Sequence, residues 1–240
     1  MANYSFPEEG GRVEPNGAKT LTRKIYEALR SDILTGRRKP GDRLVRKTVA
    51  REMGVSPMPI TEALYMLELD GLVENVPMYG CRVRPMTEED IHNDQILREA
   101  IECQTARLCA ERATEAELSR LAAAAVRVDR LMAEGDPQSV VGMNLHCDFH
   151  LEIARNARCA ILVEALERVW FRRNMRLNWI NATACKPVPY DWHQKLVAVL
   201  KKRDPDAATA AMRDHTRWGL EKEHQALELI QKQLALESVV

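Results

Sequence analysis

Residues 54–73 read GVSPMPITEALYMLELDGLV. Ser56 followed by Pro57 has the form of a helix N-cap with proline at the first helical position. Pro59 is tolerated beside it because the first helical N–H groups have no intrahelical partner. Ile60, Ala63, Leu64 and Leu67 recur at steps of three and four, which marks the inward stripe of a helix over 57–69. Gly71 stops it. Upstream, Leu21, Ile25, Leu29, Ile33 and Leu34 give a helix over 21–35, and the glycines and proline of GRRKPG at 36–41 give a turn. A short helix around Arg46–Met53 follows, broken by Gly54. Downstream, LVENV and CRVRP read as two strands joined by a hairpin at 77–80. Helix, helix, turn, helix, hairpin is the order of a winged helix-turn-helix, whose third helix reads DNA.

The charge of that helix runs against the reading. Residues 54–73 hold no lysine or arginine, while Glu62, Glu68 and Asp70 give them a net −3. The surroundings compensate. Residues 19–85 carry 13 Lys+Arg against 8 Asp+Glu, a net +5; residues 86–240 carry 21 against 24, a net −3; the first 18 contribute −2. A basic small half on an acidic large half is the pattern of a polyanion-binding head on a separate body. The cations beside the helix are Arg37, Arg38 and Lys39 in the turn, Arg46, Lys47 and Arg51 on the preceding helix, and Arg82 and Arg84 beside the wing. They are expected to hold phosphate, while Met58, Thr61 and Tyr65 face the bases as uncharged readers. Ser56 and the wing residues Tyr79 and Gly80 complete the expected DNA-binding set.

Past the joint at Pro85–Met86 only helical patterns remain. Acids at 88–90 open a long helix, Thr114–Glu117 forms a capping box, and Asp136-Pro137 and Asp204-Pro205 each set a cap before a first-turn proline. Helices are expected over 88–112, 115–134, 137–155, 159–183, 190–202 and 205–235. Leu118, Leu121, Leu131, Leu162, Leu166, Leu196 and Leu200 serve as core or dimer surface. The fold class is therefore mainly α: a winged helix-turn-helix over 19–85, then an all-helical bundle over 86–240. Residues 1–18 form a flexible arm without the apolar stretch of a signal peptide. The chain has 240 residues, 45% hydrophobic and 29% charged, and no apolar run near the roughly 18 residues of a membrane span. Its six cysteines include no CxxC pair, which reads as buried thiols in a cytoplasmic protein.

Four histidines stand out in the second half. His146 and His150 are spaced i, i+4 and project from one helix face; His193 begins a later helix and His215 lies in the last. Two ligands from one helix and one from each of two others can converge inside a bundle. Spacing alone also fits an ordinary hydrogen-bonded or exposed pair. Arg98 has two readings of equal weight: a bidentate contact to an effector carboxylate, or an i, i+4 ion pair with Glu102. Arg172, Arg173 and Arg176 are further cationic candidates.

KIYEALRSDILTGRRKPGDRL, AREMGVS and EAL..LE.DGLV within residues 24–85 closely resemble the DNA-binding domain of GntR-family transcription regulators. Arg98 and Glu102, HCDFHLEIA at 146–154 and WHQKLVAVLKKRDPDAATAAMRDH at 192–215 resemble the helical FCD effector domain of the FadR-type branch. The resemblance implies a cytoplasmic, dimeric regulator of a metabolic operon, partnered by a double-stranded DNA operator and by a small-molecule effector, here a carboxylate. It gives Lys47 the place of a basic DNA contact. It implies a divalent metal, zinc or nickel, on three histidines aligned with His150, His193 and His215 and on an aspartate whose place His146 takes. The family's arginines at the positions of Pro57, Thr61, Tyr65, Met66 and Tyr79 are all replaced, which relaxes or changes the sequence read. Two other classes compete: a metal-dependent helical-bundle enzyme, and an interaction protein that has lost DNA binding. Against the enzyme, no carboxylate is placed by motif as general base; Glu152, two residues from His150, falls on another face.

Overall fold

A computed structural model describes residues 20–77, 79–85, 87–134, 140–180 and 190–218, without the side chains of 140, 176–180 and 218. The expected N-terminal arm, the hairpin-tip Met78, Met86 of the joint, the Asp136-Pro137 cap, the Arg176 side chain, Cys185 and the helix ends toward 183 and 235 lie outside the described residues. The chain divides into two compact units after Met86.

The first unit contains α1 (Leu21–Leu34), β1 (Arg43–Leu44), α2 (Arg46–Met53), α3 (Pro57–Leu69), β2 (Val73–Val76) and β3 (Gly80–Val83). The Thr20 hydroxyl accepts from the Arg23 N–H and caps α1. Gly54 ends α2 at φ +67, the left-handed conformation that glycine adopts without a Cβ clash. Ser56 occupies the N-cap of α3 with extended backbone, but its side chain makes no capping bond. The three strands lie in the order β1-β3-β2, all antiparallel, with Leu44 opposite Cys81 and Val73 opposite Val83. The core is Ile25, Leu29, Ile33, Leu44, Ile60, Leu67, Leu72 and Val83, each buried. Asp32 is buried among them and is held by Arg37 at 2.6 Å. The Tyr26 hydroxyl donates to Asp70 at 2.5 Å, tying α1 to the end of α3. Burial, then this bond to a carboxylate, push the phenol up to about 12.

The second unit is helical throughout its described residues: α4 (Glu88–Arg112), α5 (Glu115–Glu134), α6 (Val140–Asn156), α7 (Ala160–Ile180), α8 (Trp192–Leu200) and α9 (Pro205–Trp218). Thr87 and Asp90 close a reciprocal capping box on α4, Thr114 and Glu117 do the same for α5, and Asp204 accepts from the N–H groups of Asp206 and Ala207. Helix α6 faces two apolar clusters. Phe149 and Ile153 join Leu118, Leu121, Leu196 and Leu200; Leu151 and Ala154 join Ile101, Leu166 and Trp170. Residue 150, between these faces, therefore sits in the middle of the bundle. Leu131 and Leu162 are only partly buried. No helix among the described residues is long and apolar enough to cross a membrane. The fold is mainly α with a small sheet in the wing.

A Cβ at residue 54 meets nothing within 4 Å, so Gly54→Ala carries only the left-handed backbone penalty. A loss of about 1–2 kcal/mol is expected. All four tryptophans fall in the second unit. The loss should accordingly appear in the circular dichroism melt and leave the tryptophan-fluorescence melt unmoved.

Candidate metal centre and nucleic-acid interface

Four imidazoles meet inside the helical unit. His146 and His150 come from α6, His193 from the first turn of α8 and His215 from α9, and their candidate ligand atoms all lie within 4.8 Å of one another. His150, His193 and His215 are buried; His146 keeps part of its surface open. Nε2 of His146 lies 3.1 Å from Nε2 of His150. Two nitrogens about 2.0–2.1 Å from one ion stand roughly 3–3.5 Å apart when adjacent and at most about 4.2 Å apart when opposed. The α6 pair thus already has a ligating separation, and no pair is wider than 4.8 Å.

Carboxylates reach two of the rings from behind. Asp129 of α5 places Oδ1 2.6 Å from Nδ1 of His193 and 2.9 Å from its backbone nitrogen, while Oδ2 accepts from the Gln194 backbone N–H at 3.0 Å and from its side-chain amide at 3.1 Å. An ionised carboxylate only accepts, so Nδ1 of His193 carries the proton and Nε2 holds the lone pair. That Nε2 is buried with no protein partner. A buried, unpartnered acceptor surrounded by three further imidazoles is what a cation site requires, and the residues fit a metal.

Glu102 of α4 does comparable work at His150. Its Oε2 stands 2.9 Å from Nδ1 of His150, at ion-pair distance but without hydrogen-bond alignment. Its Oε1 accepts from Nε of Arg98 at 2.9 Å and from Nε1 of Trp170 at 2.8 Å. Arg98 is therefore paired with Glu102 as one of its two readings required, yet the pair is buried, and Nη1 of Arg98 has no partner. The guanidinium carbons of Arg98 and Arg173 lie 4.7 and 4.9 Å from the centre of the Trp170 ring, which packs against His146 and His150. Arg172 instead grips Asp94 in bidentate fashion, with its shortest contact at 2.6 Å. Asp148 and Glu152 lie off the inward face of α6, exposed and half-buried respectively.

Burial, reinforced by neighbouring imidazole and guanidinium charge, holds His146 and His215 well below the usual imidazole range. Burial also pulls His150 down to about 4, against the opposing charge of Glu102. All three are neutral at pH 7, the form that ligates metals. For Glu102, burial raises the pKa, but Arg98 and His150 outweigh it and hold the carboxyl well below the usual carboxylate range. For Asp129, burial likewise opposes, and the hydrogen bonds from His193 and Gln194 bring the net shift down.

In the first unit, Met58, Tyr65 and Tyr79 are 69%, 60% and 66% exposed. Met58, Thr61 and Tyr65 share one side of α3, at positions i, i+3 and i+7. The Thr61 hydroxyl donates to the Pro57 carbonyl at 3.1 Å, so its proton is already engaged. Arg46, Lys47, Arg51 and Ser56 are exposed, and Arg46, Lys47 and Arg51 make no ion pair among the described residues. Three of the flanking arginines are also paired within the unit. Arg37 is held by Asp32 at 2.6 Å, Arg38 by Glu52 at 2.8 Å and Arg82 by Glu74 at 2.6 Å. Gly80 takes φ +81 at the start of β3, and Arg43 lies against the Tyr79 ring at 5.7 Å.

Asp129, Trp170 and Arg43 escaped the sequence reading. Asp129 had a signal: it falls on the buried stripe of α5 with Leu121, Ala125 and Val128, where a charge demands a partner. Arg43 and its two-residue strand had none.

The architecture defines a winged helix-turn-helix regulator with a helical sensor unit. Residues 21–83 match the profile of "Bacterial regulatory proteins, gntR family", and residues 96–217 match the "FCD domain". The chain belongs to the GntR family of bacterial regulators, in the branch carrying an FCD domain. The HTH-type transcriptional repressor RspR of Escherichia coli K12 is 28% identical over 202 residues, 83% of this chain and 87% of RspR. A probable D-xylose utilization operon transcriptional repressor of Paenarthrobacter nicotinovorans is 28% identical over 201 residues, 82% and 85% of the two chains. The solved structure of E. coli McbR/YncC shares the fold with a TM-score of 0.69 at 23% identity, covering 87% of this chain and 99% of its own. The protein is a DNA-binding transcription regulator of this type and not an enzyme.

Buried neutral imidazoles tie stability to pH with a definite sign. Unfolded histidine takes up its proton near 6.5, whereas folded His150 does so only near 4. Between these values the unfolded chain binds protons that the native chain refuses, so stability falls as pH drops. Fluorescence melts of chelator-treated protein should move steadily lower from pH 7 to 5, and less steeply in His150→Gln. Equal slopes in the two proteins would contradict the assignment.

Proposed function

We propose that this regulator binds a divalent cation, zinc or nickel, on His146, His150, His193 and His215, and a small carboxylate effector beside it, and that effector occupancy alters the affinity of a homodimer for its operator. The observation that carries the reading is the convergence of four buried or half-buried imidazoles next to a buried arginine with an unsatisfied N–H. Four neutral nitrogen donors suit borderline cations and not the oxygen-preferring magnesium or calcium. Bound there, the cation supplies a Lewis-acidic, positively charged point for an effector oxygen. Nη1 of Arg98 donates to the effector's carboxylate while Nε stays on Glu102. Metal and effector can influence DNA only through a difference in their affinity for two arrangements of the dimer; about 1–3 kcal/mol of such coupling is enough.

At the operator, Arg46 and Lys47 neutralise phosphate, Ser56 meets the backbone at the start of α3, and Gly80 lets the wing approach a groove. Met58, Thr61, Tyr65 and Tyr79 supply uncharged contacts, Met58 against a thymine methyl. Thr61 acts as an acceptor, since its proton goes to Pro57. Without arginine on α3, guanine is read weakly, and most of the affinity comes from phosphate neutralisation. Cys81, Cys103 and Cys109 are buried and Cys147 and Cys159 partly so, in line with a cytoplasmic regulator; burial pushes Cys109 and Cys147 up to about 12.

Elemental analysis with native mass spectrometry, on protein purified without added metal, tests the centre and the dimer together: one zinc or nickel per chain in a two-chain species is expected. In gel shifts on operator DNA, log K should fall linearly with log salt, and Lys47→Ala should reduce that slope by about 1. Arg98→Met should keep the metal and lose the response to carboxylates. DNA binding undetectable in dilute buffer would leave only an interaction module.

A further inference from the structure

A four-imidazole ligand set brings no negative charge to a divalent cation. The two carboxylates nearest this set are not ligands; both stand one atom layer behind it. Asp129 holds Nδ1 of His193 at 2.6 Å, and Glu102 stands 2.9 Å from Nδ1 of His150. Both are essentially excluded from water, at 1% side-chain exposure. A buried carboxylate is costly unless its charge is matched. Arg98 matches Glu102. Among the described residues Asp129 has no comparable cation: it meets the His193 ring, two backbone N–H groups and the Gln194 amide.

We propose that the negative charge of this metal centre is carried outside its ligand shell, chiefly by Asp129, which is a positioning residue that fixes the His193 ring and raises its donor strength. The inference rests on the metal reading given above. Three features support it. The contact selects one tautomer of His193 and leaves the buried Nε2 as the only nitrogen that can ligate. The same carboxylate caps the start of α8, whose own N-cap residue Asp191 makes no side-chain cap bond; one group thus sets both the helix start and the ring it carries. And an uncompensated anion behind an imidazole is relieved when a cation binds in front of it, as in the carboxylate–histidine–metal arrangement.

A consequence follows for His146. It is the half-buried member of the set, and no carboxylate stands against it among the described residues' recorded contacts. Converting it to aspartate brings a charge into the shell itself, which makes the charge on Asp129 partly redundant. Asp129 and residue 146 should therefore be coupled, although they sit on different helices.

The test uses Co²⁺ as a spectroscopic probe on full-length, chelator-treated protein, with affinity read by competition against a chromophoric chelator. Asp129→Asn removes the charge and keeps one acceptor, for the His193 ring and backbone N–H, while its NH2 group replaces the acceptor of the Gln194 backbone N–H, so the metal-free melt should fall. In the folded variant Co²⁺ should bind ten- to a hundred-fold more weakly, with an altered visible absorption of the bound ion. Asp129→Glu should restore part of the affinity. In a His146→Asp background the same Asp129→Asn change should cost several-fold less, and His146→Asp alone should shift preference from Ni²⁺ toward Mn²⁺. Should Asp129→Asn not fold, the His146→Asp selectivity shift decides alone: unchanged Ni²⁺ over Mn²⁺ preference overturns the proposal. An unchanged Co²⁺ affinity and spectrum in folded Asp129→Asn overturns it while leaving the metal site standing. Failure of the wild-type protein to take up any stoichiometric Co²⁺ overturns both.

Discussion

The helical unit depends on one constraint: a group of imidazoles must be kept together, with ring nitrogens facing one another, in a volume where bare polar atoms are costly. Solvent cannot do this at buried positions, so the rings are oriented by other side chains. Asp129 determines which nitrogen of His193 is protonated. Glu102 ties α4 to α6 and α7 by meeting His150, Arg98 and Trp170 at once. The contacts to His150, Trp170 and His193 join helices that are distant in sequence, whereas Arg98 lies on α4 with Glu102. The apolar clusters on either side of α6 supply the packing; the carboxylates supply the register at which the rings face one another.

The winged unit solves the opposite problem, which is how to leave charge available. Buried Asp32 needs cations, and it takes Arg37 and, more distantly, Arg38. Glu52 and Glu74 engage Arg38 and Arg82. The net +5 of residues 19–85 is thus concentrated in fewer side chains than the count implies. Arg46 and Lys47 at the start of α2 and Arg51 in its last turn keep theirs. The acids of α3 are also accounted for in part: Glu62 accepts from Thr22, Glu68 from Asn75, and Asp70 from Tyr26. Acidic residues on a DNA-facing helix are tolerable when they point to the scaffold and their oxygens are occupied there.

Periodicity made the long elements legible. The stripes of α1 and α3, the acids that open α4, the capping box of α5 and the proline at the start of α9 each declare themselves within a few residues, because local backbone chemistry fixes them. β1 did not, since two residues have no period and owe their conformation to pairing with β3. At the site, the i, i+4 histidines declared a shared face, but their convergence with His193 and His215 depends on helix packing that no local pattern encodes. Asp129 was legible as an anomaly, a charge on an apolar stripe, though the partner that explains it is 64 residues away. Arg98 was readable as a pair with Glu102 and as a ligand contact, and its several N–H groups leave room for both. Nε is engaged by Glu102 and Nη1 is not engaged by protein.

Those unengaged atoms connect structure to function. A buried donor or acceptor without a partner costs about 1–3 kcal/mol, and folded proteins keep few of them. Here Nε2 of His193 and Nη1 of Arg98 both occur in one neighbourhood, beside imidazoles held neutral by burial. One is an acceptor that seeks a cation; the other is a cationic donor that seeks an anion. On the proposed reading, a cation followed by a carboxylate would satisfy them in turn, and the cost of leaving them unpaired would be recovered as binding affinity; liganded and unliganded bundles would then differ in free energy by the very groups that the protein itself leaves without partners.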